Sequence, residues 1–362
     1  MARRLHRVVV GALSVNGTGE GIQSELMRVA LDVRATRQLS AGMKTYNREL
    51  ASRLPEVAPD LEFIHFEHAR NFSLQEQFAL PRAMRRAGVE LAHFLSQYTP
   101  LLPPRPYIVT IHDLIHLRFP QFFKAKVGPY YQTVVRFAAT RAARIITDDP
   151  RTVGDLERYL GVKPANCRVI ALGVEEYFLQ PIAPYVAARP YILYVGNHRE
   201  HKDLRTLFSA WSSLPHDTDL DLYLTGPDDF KGALADYQSP NRRILTLGDV
   251  SKERLAALYA GARALVHPAL CEGFGLPMLE AMACGTLVIA CTDAVPAVLE
   301  GATLRFTARD VAGLRSSLEQ LGDEGLRSGL VNKGRSLARA MTWTRCARAT
   351  VDVYREVLEE QR

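Results

Sequence analysis

Residues 264–291, ALVHPALCEGFGLPMLEAMACGTLVIAC, constrain the fold more than any other part of the chain. An apolar run, Ala264 to Val266, leads to a Gly273-Phe274-Gly275 turn. A segment of small and apolar residues follows, opened by Pro277 and closed by Gly285, and then a second apolar run, Leu287 to Ile289. Proline suits the first turn of a helix, where its missing N–H costs nothing. Glycine suits the position just past a helix end, where a left-handed conformation is common. The stretch therefore reads as strand, glycine turn, helix, strand. Such a turn offers free N–H groups and a helix dipole to a phosphate. Glu272 and Glu280 flank it with carboxylates that can accept from hydroxyls. Phosphate beside a polyol is the chemistry of a nucleotide sugar.

The same alternation of apolar runs and helix-like stretches recurs throughout the 362 residues, which points to parallel sheets built from βαβ units. In the first half, residues 27–33, 61–65, 91–94, 107–111, 143–147 and 167–171 read as strands. In the second half, residues 191–195, 221–224, 244–247, 264–266 and 287–289 do so. Two domains of ordinary size fit this length. Residues 1–174 form the first, with 1–24 a glycine-rich extension that need not be ordered. Residues 175–190, holding three prolines and no periodicity, read as a linker. Residues 191–343 form the second domain. The tail, 344–362, has apolar residues at helical spacing (Ala347, Val351, Tyr354, Leu358) and is expected to return to the first domain. The fold class is α/β, with two Rossmann-like, doubly wound parallel sheets expected to face each other across a cleft. Ligands of such sheets sit beyond the carboxyl ends of the strands.

The net charge of +6 is unevenly placed. Residues 1–173 hold 24 Lys/Arg against 15 Asp/Glu, and the remainder hold 21 against 24. A basic first half suits an anionic acceptor or peripheral contact with an anionic membrane surface; a solvated arginine-rich face is the plain alternative. Nucleic acid is a poor fit, because no basic-aromatic interleaving is present. Five cysteines without metal-ligand spacing suit a reducing, cytoplasmic setting. No apolar run approaches the ~20 residues that span a bilayer. Arg3, Arg4 and Arg7 precede a short apolar run, but no convincing cleavage site follows it.

Three further places carry candidate chemistry. The run ending at Val195 is followed by Gly196 and then NHREHKD, where Arg199 or Lys202 can grip a diphosphate; a charged loop before a helix is the plain alternative. The run ending at Ile111 is followed by His112 and Asp113, placed toward the expected cleft, where Asp113 can orient the histidine or bind a hydroxyl. His116 has a weaker claim. Gly42, before a helix expected around Thr45–Leu54, allows close backbone approach to phosphate. Several patterns argue against other chemistries. Asp217 and Asp219 match a D-x-D pattern but precede a strand, so no metal site is expected. The glycine fingerprint of dinucleotide binding, the Walker loop and the G-x-S-x-G elbow are absent.

With these residues in view, the chain resembles the family-4 retaining glycosyltransferases, which have the GT-B fold. The resemblance runs from about Met27 to Leu358. It is carried by VALDVR, SAGMKTY, TIHDLIHLRFPQFF, YILYVGNHREHKDLRTL, MTWTRCARATVDVYREV and above all the E-x7-E segment at Glu272 and Glu280. The subset with IHDL and VGN..HK resembles bacterial mannosyltransferases of surface polysaccharide synthesis. The resemblance implies that Glu280 binds ribose hydroxyls and that Glu272 lies by the donor sugar. The backbone of Gly273, Phe274, Gly275 and Leu276 would hold sugar and diphosphate. Lys202 would neutralise phosphate, Gly42 would approach it, and His112 would touch the transferred sugar. Gly196 precedes the phosphate loop, while Gly226 and residues 247–250, ending at Val250, fall where base-binding loops lie. Arginine commonly stands two residues after the strand-end glycine in the family; here that place is His198, with Arg199 one later. A serine-containing segment is replaced by Asp148-Asp149-Pro150, so any serine role there is lost.

These readings converge on an enzyme that moves a hexose, by resemblance mannose from GDP-mannose, to a glycan or lipid-linked glycan acceptor. Retention at the anomeric carbon, with neither metal nor cofactor, is expected. The location expected is the cytoplasm or the inner face of the membrane. Another GT-B sugar-nucleotide enzyme, an epimerase included, and a non-catalytic nucleotide-sugar-binding subunit remain as alternatives.

Overall fold

The computed structural model describes residues 26–34, 39–67, 73–227, 230 and 234–362. Expectations for residues 1–24 lie outside them. Among the described residues, twelve strands form two sheets, each wholly parallel. β1 (Met27–Asp32), β2 (Leu61–Phe66), β3 (Leu91–Phe94), β4 (Tyr107–Thr110), β5 (Arg144–Thr147) and β6 (Cys167–Val169) make the first, in the order β2-β1-β3-β4-β5-β6. β7 (Tyr191–Tyr194), β8 (Asp221–Leu224), β9 (Ile244–Thr246), β10 (Ala264–His267), β11 (Leu287–Cys291) and β12 (Thr303–Phe306) make the second, in the order β12-β11-β10-β7-β8-β9. The central strands β3, β4, β7, β8, β10 and β11 are buried along their whole length. That burial is why they read as unbroken apolar runs rather than as alternating ones. Eleven strands were legible in the sequence, and β12 was not. It is an edge strand whose Leu304 is half-buried and Arg305 exposed, so it shows no apolar run.

The chain divides into two compact units. One holds the described residues through Leu117, Lys124–Ala171 and Trp343–Arg362; the other holds Arg118–Phe123 and Leu172–Thr342. Residues 175–190, expected as a linker, belong to the second unit. Phe178 is buried against Tyr259, and the Tyr185 N–H donates to the Ala257 carbonyl at 2.9 Å. One buried aromatic side chain, Phe178, and one backbone hydrogen bond, at Tyr185, therefore fasten a stretch that has no periodicity of its own. The helix Trp343–Glu359 belongs to the first unit, where it packs against the helix Ala41–Val57. Its Tyr354 hydroxyl meets His93 Nδ1 at 2.6 Å, and its Glu356 pairs with Arg144 at 2.8 Å and with Arg168.

The first-unit helix begins at Ala41, four residues ahead of the expected start, because the Ser40 side chain caps it by accepting from the Met43 N–H. Gly42 thus lies in its first turn. In the second unit, the helix Leu276–Ala283 starts after Gly275 at φ 75° and carries Pro277 in its first turn. It closes with Gly285 at φ 78°: Thr286 N–H reaches the Ala281 carbonyl and Gly285 N–H the Met282 carbonyl. This pairing is a Schellman closure, and the left-handed glycine makes it possible.

Candidate functional site

Read outward from β7, the second sheet runs β7-β8-β9 in one direction and β10-β11-β12 in the other. The direction of winding reverses between β7 and β10, and crevices for ligands open at such a switch point beyond the strand ends. The loops leaving β7 and β10 carry Gly196 to Lys202 and Glu272 to Gly275, so the topology brings these sequence candidates together.

Lys202 ends a short 3-10 turn, Glu200–Lys202, and is buried, with its Nζ donating to Glu272 Oε1. The same oxygen accepts from Nε2 of His267, 2.8 Å away at the end of β10. Burial opposes charge on Glu272, but Lys202 and then His267 outweigh it and hold the carboxyl well below the ordinary range. Glu272 is thus a fixed anion beside a fixed cation. His267 was missed in the sequence; its place as the last residue of a fully buried strand was the available signal.

Glu280, about one turn into the helix, accepts from the Tyr259 hydroxyl at 3.0 Å. Burial pushes its carboxyl up to about 7, with the Glu175 charge adding to the rise and Lys252 opposing it. The two glutamates therefore sit in opposite electrostatic states, one held ionised and one near neutrality. Between them the turn has fewer donors than its length suggests. Pro277 has no N–H, and the Met278 N–H donates to the Gly275 carbonyl at 2.9 Å. Gly273 to Leu276 are the donors this turn can offer an anion. Glycine suits position 275 because its φ of 75° is a left-handed conformation that side chains rarely adopt.

The loops after β7, β8 and β9 also converge. Gly226 (φ 97°) donates its N–H to the Gly248 carbonyl at 3.0 Å. A Cβ on Gly226 would stand 2.3 Å from the Gly196 carbonyl oxygen. This close approach places Gly196, Gly226 and the stretch ending at half-buried Val250 side by side. Arg199 is exposed and lines a cavity of about 420 Å³ with Arg205, Arg309 and Phe230. The D-x-D residues Asp217 and Asp219 are exposed ahead of β8, and Asp219 pairs with Arg189 at 3.5 Å.

In the first unit, His112 follows β4 and is only 8 % exposed. The expected orienting residue, Asp113, does not hold it. Asp113 instead accepts from the Ile115 N–H at 3.1 Å, capping a short helical turn. The partner is Asp148, whose Oδ2 lies 2.6 Å from His112 Nδ1. β4 pairs with β5 so that Thr110 faces Ile146, and two further residues along both strands bring His112 to Asp148. Burial opposes charge on His112, but Asp148 overrides it and raises the imidazole above 6.5. Burial likewise raises Asp148 above 3.8, against the pull of His112. The Tyr46 ring is T-shaped against the imidazole, 4.7 Å between centroids.

Two family models match the chain: "Glycosyltransferase Family 4" over residues 1–176 and "Glycosyl transferases group 1" over residues 189–324. Among solved structures, sucrose-phosphate synthase from Thermosynechococcus elongatus superposes with a TM-score of 0.72 at 21% identity, covering 92% of this chain and all of that one. HepE from Anabaena, in complex with UDP and glucose, gives 0.69 at 15% identity, covering 92% and 100%. Fold and matches together define a glycosyltransferase of the GT-B class. O-antigen chain mannosyltransferase B of Escherichia coli is 30% identical over 290 residues, which are 77% of this chain and 72% of that protein. The MMP alpha-(1->4)-mannosyltransferase of Mycolicibacterium hassiacum is 30% identical over 229 residues, 61% and 56% of the two chains. The chain belongs to glycosyltransferase family 4.

Proposed function

We propose that this glycosyltransferase moves mannose from GDP-mannose, with retention at the anomeric carbon, to a hydroxyl of a glycan or lipid-linked glycan in cell-envelope polysaccharide synthesis. The observation that carries the reading is the switch-point cluster of Lys202, Glu272, Glu280 and the Gly273–Leu276 turn, where a cation and N–H donors adjoin two carboxylates. As the C1–O bond cleaves, negative charge grows on the leaving diphosphate. Lys202 and the turn's donors stabilise it, an electrostatic contribution that is commonly the largest in catalysis. Glu280 accepts from the ribose hydroxyls and Glu272 from hydroxyls of the sugar. The acceptor hydroxyl attacks on the face that the diphosphate leaves, and the leaving phosphate takes its proton.

Lys202 supplies the positive charge that a metal supplies elsewhere, so neither metal nor cofactor enters the reaction. His112 serves the transferred sugar and Gly42 the phosphates; Gly196, Gly226 and Val250 border the base. The choice of mannose is supported by the names of the two mannosyltransferases above, and that of an envelope glycan by the O-antigen name of the first. The surplus of basic residues in the first half suits an anionic, membrane-associated acceptor reached from the cytoplasmic face. Among the described residues no helix is long and apolar enough to cross a membrane.

A panel of nucleotide sugars, assayed for transfer to a mannose-terminated lipid-linked glycan in excess EDTA, tests this reading. Turnover of GDP-mannose to an α-linked product is expected. A β-linked product, a preference for another donor, or complete loss in EDTA restored by manganese would each overturn the corresponding part.

A further inference from the structure

His112 is held more completely than contact with a substrate alone requires. Its carbonyl accepts from the Thr152 hydroxyl at 3.4 Å, within the helix Pro150–Asp155 that Asp149 caps by accepting from the Arg151 N–H. Its Nδ1 meets Asp148, and its ring lies nearly perpendicular to that of Tyr46. An ionised carboxylate can only accept, so Nδ1 carries a proton. The second ring nitrogen, Nε2, is buried and has no hydrogen-bond partner among the described residues. A buried polar atom left in this state costs free energy unless a ligand or solvent partner engages it.

We propose that Asp148 is a positioning residue for sugar transfer. It accepts from His112 Nδ1, fixes the tautomer and plane of the imidazole, and leaves Nε2 as the ring atom that engages a hydroxyl of the transferred sugar. The inference rests on the transferase reading above and extends it to a residue that stands where the family's serine-containing segment is replaced. The groups that bear on the imidazole come from every neighbouring element. They are Asp148 at the end of β5, Asp113 in its own loop, Tyr46 from the helix Ala41–Val57 and His93 from β3; Cys346 of the C-terminal helix lies by Asp148. The two aspartates favour the protonated ring, and Asp148 is the one in hydrogen-bond contact.

Asp148→Asn keeps the shape of the side chain and removes its charge. Nitrogen-15 NMR of ligand-free protein, with His112 assigned through His112→Gln, should show Nδ1 protonated and a titration midpoint above 6.5 in the wild type. The midpoint should fall in Asp148→Asn. The kcat at pH 7 should drop at least about 10-fold, the lower bound for losing a group that orients a metal-bound histidine. KM for the nucleotide sugar should change less, because Lys202 and Glu280 still grip its diphosphate and ribose. The acid limb of the kcat profile should move with the NMR midpoint. A wild-type His112 protonated only on Nε2, an unchanged midpoint, or kcat within twofold of wild type in a folded Asp148→Asn protein would overturn the proposal. Absence of turnover with every nucleotide sugar would instead overturn the transferase reading, which the ligand-free NMR keeps separate.

Discussion

Glu280 offers the most quantitative test of the donor site. In the ligand-free protein its carboxyl is pushed up to about 7, chiefly by burial, from an ordinary value of 4.5. At pH 6 about one molecule in eleven then carries Glu280 ionised, and at pH 8 about ten in eleven do. If ribose hydroxyls donate to the carboxylate, apparent donor affinity scales with the ionised fraction and improves about tenfold between pH 6 and pH 8. A nucleotide sugar suits this measurement because its diphosphate is a diester and has no titrating terminal phosphate. Isothermal titration of GDP-mannose at several pH values should show the rise in the wild type and a flat profile in Glu280→Gln. Stability should move the opposite way. The folded protein keeps this proton to higher pH than the unfolded chain does, so the destabilisation is absent below about 4.5 and grows as pH rises through 7. Its ceiling is about 3.5 kcal/mol at 1.4 kcal/mol per pH unit. Glu280→Gln should therefore gain melting temperature relative to wild type at pH 8 and gain little at pH 5. Equal pH dependence of donor binding in both proteins would refute the reasoning.

Two further perturbations follow from the geometry. Lys202→Ala should lower kcat about 10²- to 10³-fold, the scale of losing one fixed electrostatic donor. It also leaves Glu272 as a buried anion held by His267 alone, which should reduce thermal stability; Glu272→Gln in the same chain should restore the melting temperature but not the activity. Gly226→Ala forces a side chain into φ 97° and toward the Gly196 carbonyl. The backbone strain alone should cost about 1–3 kcal/mol, read as a lowered melting temperature with weakened donor binding, whereas unaltered melting would contradict the packing of these loops.

The parts of this protein that were legible in its sequence are those where one physical pressure dominates. Central strands buried on both faces leave apolar runs, and the Pro277 and Gly285 pair marks a helix by backbone geometry alone. Edge strand β12 left no run, because Arg305 and Leu304 face a half-covered surface. Residues 175–190 looked like a linker because their attachment depends on one buried side chain, Phe178, and a backbone hydrogen bond at Tyr185 rather than on a period. The E-x7-E turn revealed its glutamates but not their environments, since Tyr259, Lys202 and His267 come from three other segments. Asp148 was invisible as a partner for the same reason. Its pairing with His112 follows from the register between β4 and β5, a long-range fact that local pattern does not carry.

The account's central claim is that the switch point between β7 and β10 holds the donor. A crystal structure with bound GDP-mannose, or with a non-hydrolysable analogue, measures this directly. The diphosphate should lie within hydrogen-bond distance of Lys202 and the N–H groups of Gly273 to Leu276, with both ribose hydroxyls on Glu280. A donor bound with its diphosphate away from Lys202, or with its ribose away from Glu280, would contradict the account.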